Sequence, residues 1–172
     1  MPWSLRPAVP HDSDEIAALL IEGFEGYRSF APAGWEPPDV NAELDRLRHF
    51  LGSEEVWCLI AEENGVPAGH VAVMPARLHA HPSDDEGMAQ LWQLFVRPRW
   101  WGTGLATELH AEALREAGSR GFTSMRLYTP AAQARARRFY EREGWTAAVE
   151  PSDALEFGMP LVEYRRPISS SV

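Results

Sequence analysis

Apolar positions along the chain fall into short β-favouring runs and longer stretches of helical spacing, punctuated by glycine and proline. Residues 3–9, 56–62 and 68–74 read as strands, the last two joined through Asn64-Gly65, which suits a two-residue hairpin turn. Leu94, Phe95 and Val96 close another apolar run ahead of Pro98, and residues 123–129, 146–149 and 156–164 complete the predicted strands. In the first helix, His11-Asp12-Ser13-Asp14-Glu15 supplies the cap and an acidic first turn, and Ile16, Leu19 and Leu20 share one face. Asp39 caps the second, whose Val40, Leu44, Leu47 and Leu51 recur at 4-3-4 spacing. The third helix begins after Gly104 and ends at Gly118. A fourth covers residues 131–143, with Ala132, Ala136, Phe139 and Tyr140 inward and Gly144 as its stop.

The resulting order, β-α-α-β-β and then β-α-β-α-β-β, predicts one mixed sheet with helices on both faces, an α/β (α+β) fold. No repeat or linker divides it, so residues 1–168 are expected to form one domain and residues 169–172 a frayed tail. The glycine- and proline-rich stretch 31–39 reads as a loop. Phe24, Tyr27, Phe30 and Trp35, in and before it, either close over the core or line a substrate pocket.

Residues 91–118 carry the most chemistry. They read as strand, glycine turn and helix, and a turn that delivers a helix N-terminus presents unpaired N–H groups at a partially positive end. Gly102 and Gly104, without Cβ atoms, permit positive φ and close approach of a phosphate to the main chain. Arg97 and Arg99 add charge of the same sign. The same two glycines also suit a plain tight connection. Neither nucleotide-binding pattern fits, since G-x-G-x-x-G is absent and no Lys-Ser/Thr follows the second glycine.

With 172 residues the chain can bury a substantial core, and 45% hydrophobic with 24% charged residues is ordinary for a globular protein. A formal net charge of −9 and a pI near 5.1 oppose nucleic acid or an anionic membrane as partner and favour a cationic substrate. Cys58 stands alone in WCLIAEE, which excludes an intramolecular disulfide and reads as a buried strand thiol. No apolar run of about 18 residues and no signal peptide is found, so the expectation is cytoplasmic. His79 and His81, with Asp84, Asp85 and Glu86 nearby, form no closed ligand set, and no metal is expected.

Arg99-Trp100-Trp101-Gly102-Thr103-Gly104 resembles the Q/R-x-x-G-x-G/A signature of the GCN5-related N-acetyltransferases, and Val96-Arg97-Pro98 resembles the V-x-P that introduces it. Gln133, Ala136 and Tyr140 match the spacing of the family's Asn-x-x-Ala-x-x-x-Tyr, with Gln in place of Asn. Glu141, Gly144 and Trp145 resemble its continuation. These motifs lie within residues 91–145; the order of elements extends the likeness over nearly the whole chain.

The resemblance implies a mostly antiparallel sheet of about seven strands, splayed between strands four and five to admit the pantetheine arm of acetyl-CoA. Main-chain groups of Leu94, Phe95 and Val96 would pair with that arm. Amides from Trp101 through Gly102, Thr103, Gly104, Leu105 and Ala106 to Thr107 would hold the pyrophosphate. Arg99 and Gln133 would also contact the cofactor, and Arg135 or Arg138 would reach the 3′-phosphate. Tyr140 would assist thiolate departure, as a phenol can, although its ring equally suits a core. Many relatives carry a glutamate base on strand four; here Gln90 and Gln93 occupy it, which leaves Glu86, Asp85, His81, His70 or water.

The expected activity is direct acetyl transfer from acetyl-CoA to the primary amine of a small cationic molecule. Two other readings stay open, a non-catalytic acyl-CoA-binding module and a protein N-terminal acetyltransferase with a groove open at both ends. The closing strands often mediate dimers in relatives, so a homodimer is compatible with the resemblance.

Overall fold

The computed structural model describes residues 2–148 and 158–169. In chain order the elements are β1 (Ser4–Pro7), α1 (Ser13–Glu25), α2 (Val40–Leu51), β2 (Trp57–Glu63), β3 (Val66–Pro75), β4 (Met88–Val96), α3 (Leu105–Ser119), β5 (Ser124–Pro130), α4 (Ala134–Arg142), β6 (Thr146–Ala147) and β7 (Leu161–Pro167). They form a seven-stranded sheet of order β1-β2-β3-β4-β5-β7-β6, antiparallel except for the β4–β5 pair.

Local chemistry sets several boundaries. The Asp39 carboxylate accepts from the amides of Asn41, at 2.7 Å, and Ala42, capping α2 as its sequence predicts. Asn64 and Gly65 take φ of 54° and 76°, the left-handed pair that a type I′ hairpin turn requires between β2 and β3. Arg6 of β1 holds Asp12 and Glu62 together, tying the entry to α1 onto β2.

Alternation along the strands feeds a core on each face of the sheet. Val71, Val73, Ala89 and Leu91 pack with Leu105, Leu109 and Ala113 of α3, while Cys58, Ile60 and Ala72 pack with Ile16 and Leu20 of α1 and Leu47 of α2. Leu44, Leu47 and Leu51 pack on the core as their spacing predicts, whereas Val40 is exposed and Glu43 joins the buried face.

Several element boundaries differ from those the sequence predicts. β4 begins at Met88, because Gln90 and Gln93 are buried strand residues despite their polarity. Residues 131–133 form a turn ahead of α4, with the Gln133 amide donating to the Pro130 carbonyl. The last strand lies at Leu161–Pro167, later than the 156–164 expected. Residues 149, 156 and 157 of the two predicted closing strands, and residues 170–172 of the predicted tail, lie outside the described residues. Among the described residues no helix is long and apolar enough to cross a membrane.

Candidate active site

The site begins where the sheet comes apart. β4 and β5 pair only at Met88–Ser124, Ala89–Met125 and Gln90–Arg126, after which β5 continues against β7 alone. Residues 91–96 of β4 therefore present an open backbone edge, the feature that lets an extended ligand add as a strand. A bulge shapes this edge: Leu91 faces Val73 and Gln93 faces Ala72, so Trp92 is the extra residue. The bulge flips the alternation. Ala89 and Leu91 lie with the α3-side core before it, Leu94 and Val96 after it, and Phe95 joins the α1–α2 side.

The edge leads into the glycine turn. Gly102 and Gly104 have φ of 76° and 94°, and a Cβ at either would meet nothing within 4 Å. The amides of Gly102, Gly104, Leu105, Ala106 and Thr107 have no backbone acceptor among the described residues, a row of donors at the start of a 15-residue helix. Trp101 is 49% exposed; its indole N–H donates to the Val96 carbonyl at 2.7 Å, and the Arg135 guanidinium lies 3.9 Å above its ring.

Edge and turn line one groove of about 700 Å³, walled on the far side by β5 and α4. Of the residues the sequence singles out, Leu94, Phe95, Val96, Trp101, Gly102, Gly104, Ala106, Thr107, Gln133 and Tyr140 line it, as do Arg135 and Arg138. Three others do not. Arg99 stacks over Trp100 and faces Glu63 at 3.8 Å, Leu105 turns its side chain into the core, and the Thr103 hydroxyl donates to the Trp100 carbonyl at 2.6 Å. Arg97 is likewise engaged, with Glu22 and the Pro67 carbonyl.

Tyr140 projects from α4 among Phe139, Trp145 and Tyr164. Its hydroxyl has no hydrogen-bond partner among the described residues, unlike that of Tyr164, which donates to Glu141 at 2.8 Å. Burial, and then the neighbouring phenol of Tyr27, pushes the Tyr140 hydroxyl above the usual phenol range, so it is a proton donor. Gln133, just ahead of α4, accepts from the Thr129 hydroxyl through Oε1 at 3.2 Å, which leaves its NH2 group to donate.

A second, smaller cavity of about 90 Å³ lies against α1 and α2. Tyr27, Trp92, Gln93, Phe95 and Tyr128 line both spaces, so the two meet at the splay. Phe24 and Tyr27 thus line this cavity, whereas Trp35 closes over the core and lines a separate hollow with Pro32 and Pro38, and Phe30 packs against the same core.

Residues 20–145 match the family model described as Acetyltransferase (GNAT) family. The chain belongs to this family. Among curated proteins nothing matches it significantly. Solved structures extend the likeness over the whole fold. The PaiA N-acetyltransferase of Thermoplasma acidophilum, solved with coenzyme A, is 15% identical with a TM-score of 0.74, covering 97% of this chain and 99% of that one. A GNAT-family acetyltransferase of Staphylococcus aureus is 13% identical with a TM-score of 0.75, over 97% and 99% of the two chains. A ribosomal-protein alanine N-acetyltransferase of Escherichia coli is 19% identical with a TM-score of 0.66, over 99% and 96%. At these identities the likeness is one of fold.

Within this GNAT fold the proton acceptors suggested by sequence are unequally placed. Asp85 and Glu86 sit ahead of Met88, at the closed end of the β4–β5 pair, and line neither space. His70 is fully buried, stacked on Phe95, and donates from Nε2 to Gln93 Oε1 at 3.0 Å; burial pushes its pKa down to about 4. It lines neither space. His81 does line the smaller cavity, beside His79, and the two histidines pack on Tyr128. Gln90 accepts from Arg126 Nε at 2.7 Å, so both strand-four glutamines are engaged. Sequence reasoning passed over Glu43, a buried carboxylate in the cavity wall. Its only signal was an acidic residue four positions before the core residue Leu47, on the same helical face. Among the described residues no three His, Cys, Asp or Glu side chains converge as a metal site.

Proposed function

We propose that the protein is an acetyl-CoA-dependent N-acetyltransferase that passes the acetyl group directly to the primary amine of a small cationic molecule. The observation that carries this reading is continuity: one groove contains the open β4 edge, the row of unpaired turn amides and the unpartnered hydroxyl of Tyr140. These fit the parts of acetyl-CoA. The edge suits its amide-bearing arm, the turn suits its pyrophosphate, and Arg135 and Arg138 supply cations for a further phosphate. When bound, acetyl-CoA supplies a thioester whose sulfur leaves with negative charge. Tyr140 holds a proton for that sulfur, and main-chain amides of β4 polarise the acyl oxygen. The smaller cavity, opening at the splay, offers a place from which an amine reaches the acyl carbon.

A Tyr140 hydroxyl without a hydrogen-bond partner among the described residues supports an enzyme over a binding module, and a small cavity with aromatic walls supports a small acceptor over a peptide chain. The test is release of CoA from acetyl-CoA across polyamines, aminoglycosides, amino acids, simple amines and short peptides, followed by chromatography. Release with one amine class is expected. Release with none, while acetyl-CoA still raises the melting temperature, would favour the binding module.

A further inference from the structure

Glu43 is placed where a carboxylate is costly. Its side chain is 6% exposed, it shares the inward face of α2 with Leu47, and no hydrogen bond reaches it among the described residues. The nearest cation, Arg46, is 3.8 Å away, beyond hydrogen-bond range, with its own side chain 44% exposed at the rim. A carboxylate held this way, largely out of water and with one cation beyond hydrogen-bond range, gains from a closer positive partner. Leu20, Phe24, Tyr27, Trp92 and Phe95 give the smaller cavity an apolar and aromatic side, while Gln90, Gln93, His79 and His81 form its polar side.

Resting on the transfer reading above, we infer that Glu43 holds the acceptor's ammonium and takes its proton, and that the acceptor is a monoamine with a compact apolar body. An ammonium satisfies the carboxylate, aromatic faces stabilise a cation beside them, and the apolar wall accepts a hydrocarbon substituent. The charges nearby select against a second cation. Arg46 stands at the rim, and behind the floor the buried guanidinium of Arg126 meets, among the described residues, neutral acceptors: Gln90 and the carbonyls of Ala76 and His81. His79, in the same wall, is pushed down to about 4 chiefly by burial, so it adds no negative counterpart and no charge. A polyamine or aminoglycoside would bring its extra charges against these cations.

The proton balance closes. The ammonium loses one proton to Glu43, and the free amine attacks the acyl carbon as the C–S bond breaks. The departing sulfur takes a proton from Tyr140. The second proton leaving nitrogen restores Tyr140 through solvent, and Glu43 returns its proton to water, so the products are the amide, the thiol and one released proton.

The experiment measures CoA release with isoamylamine, benzylamine, spermidine, tobramycin and leucine, for the wild type and Glu43→Gln. Isoamylamine or benzylamine should give a kcat/KM at least about tenfold above the others, and Glu43→Gln should lower it about 100-fold with acetyl-CoA affinity unchanged. The variant should melt no lower than the wild type, because an amide is less costly to bury than a carboxylate whose nearest cation, Arg46, stands beyond hydrogen-bond range; a structural role for Glu43 would lower the melting temperature instead. Preference for spermidine or tobramycin, preference for leucine with its carboxylate on Arg46, or full turnover by Glu43→Gln would each overturn the inference. Calorimetric binding of benzylamine in the presence of CoA separates this failure from failure of the transfer reading. Binding that is lost in Glu43→Gln sustains the amine site even if no amine is acetylated, and no binding to the wild type overturns it.

Discussion

Under the transfer reading proposed above, Tyr140 serves the chemistry of the groove and Gly104 its affinity. The Tyr140 hydroxyl, held above its usual pKa and without a hydrogen-bond partner among the described residues, keeps its proton in the wall of the groove. Tyr140→Phe should leave the ring packing against Trp145 and Tyr164 intact, spare acetyl-CoA binding and lower kcat about 100-fold. Single-turnover kinetics with saturating acetyl-CoA would show it; unchanged kcat would remove Tyr140 from the chemistry. Gly104 acts through the backbone. Its φ of 94° strains any L-residue, and a side chain there would stand in open space on the groove wall. Gly104→Val should cost about 1–3 kcal/mol of stability yet leave a folded protein, and should abolish acetyl-CoA binding by calorimetry. Retained affinity would mean that the turn does not hold the pyrophosphate.

The unit that turns these residues into a site is β4, whose Leu94–Val96 end was legible in the sequence and whose start and bulge were not. The glycine turn and α3 announce themselves through Gly102, Gly104 and helical spacing, and Tyr140 through the resemblance of Gln133, Ala136 and Tyr140 to the family motif. The bulge at Trp92 does not, because an inserted residue breaks the period of two on which strand reading depends. Glu43 was hidden for a related reason: α2 is rich in charges on every side, and its leucine spacing points to a face that includes the exposed Val40.

The far end of β4 is held by a contact invisible at the level of pattern. A Cβ on Gly23 of α1 would lie 2.2 Å from the Phe95 ring, so the helix approaches β4 over a glycine. Two effects oppose each other in Gly23→Ala. Helix propensity favours alanine by about 1 kcal/mol, whereas forcing an atom into a packed ring contact costs about 1–3 kcal/mol and displaces Phe95. The clash should win, lowering the melting temperature by a few degrees and raising the KM for acetyl-CoA and acceptor together, since Phe95 lines both spaces. A melting temperature above the wild type's would show that β4 yields at this point.

Across the whole molecule, three histidines tie folding to pH. His70 at the β3–β4 seam, His79 beside the smaller cavity and His110 of α3 are each held at about 4, with burial the leading cause. Their polar contacts suit the neutral form: His110 Nε2 accepts from the Trp145 indole at 2.9 Å, and His70 Nδ1 is buried without a partner among the described residues. In the unfolded chain each titrates near 6.5, so between about 6.5 and 4 the unfolded state binds more protons and stability falls with pH. Each histidine contributes a slope of up to about 1.4 kcal/mol per pH unit. Glu43 opposes them, since burial raises its pKa and protonation relieves the buried charge as pH falls; one carboxyl against three imidazoles leaves the slope positive. Above pH 7 the histidines are neutral in both states and their contribution is constant. Urea unfolding at pH 7.5, 6 and 5 should therefore show a falling free energy at constant m-value, well above the range in which the Arg6-paired Asp12 titrates. His70→Gln should reduce the slope by the share of one histidine. A free energy that is flat from pH 7.5 to 5 would mean that these imidazoles accept protons within the fold, and that the seam between β3 and β4 opens to water.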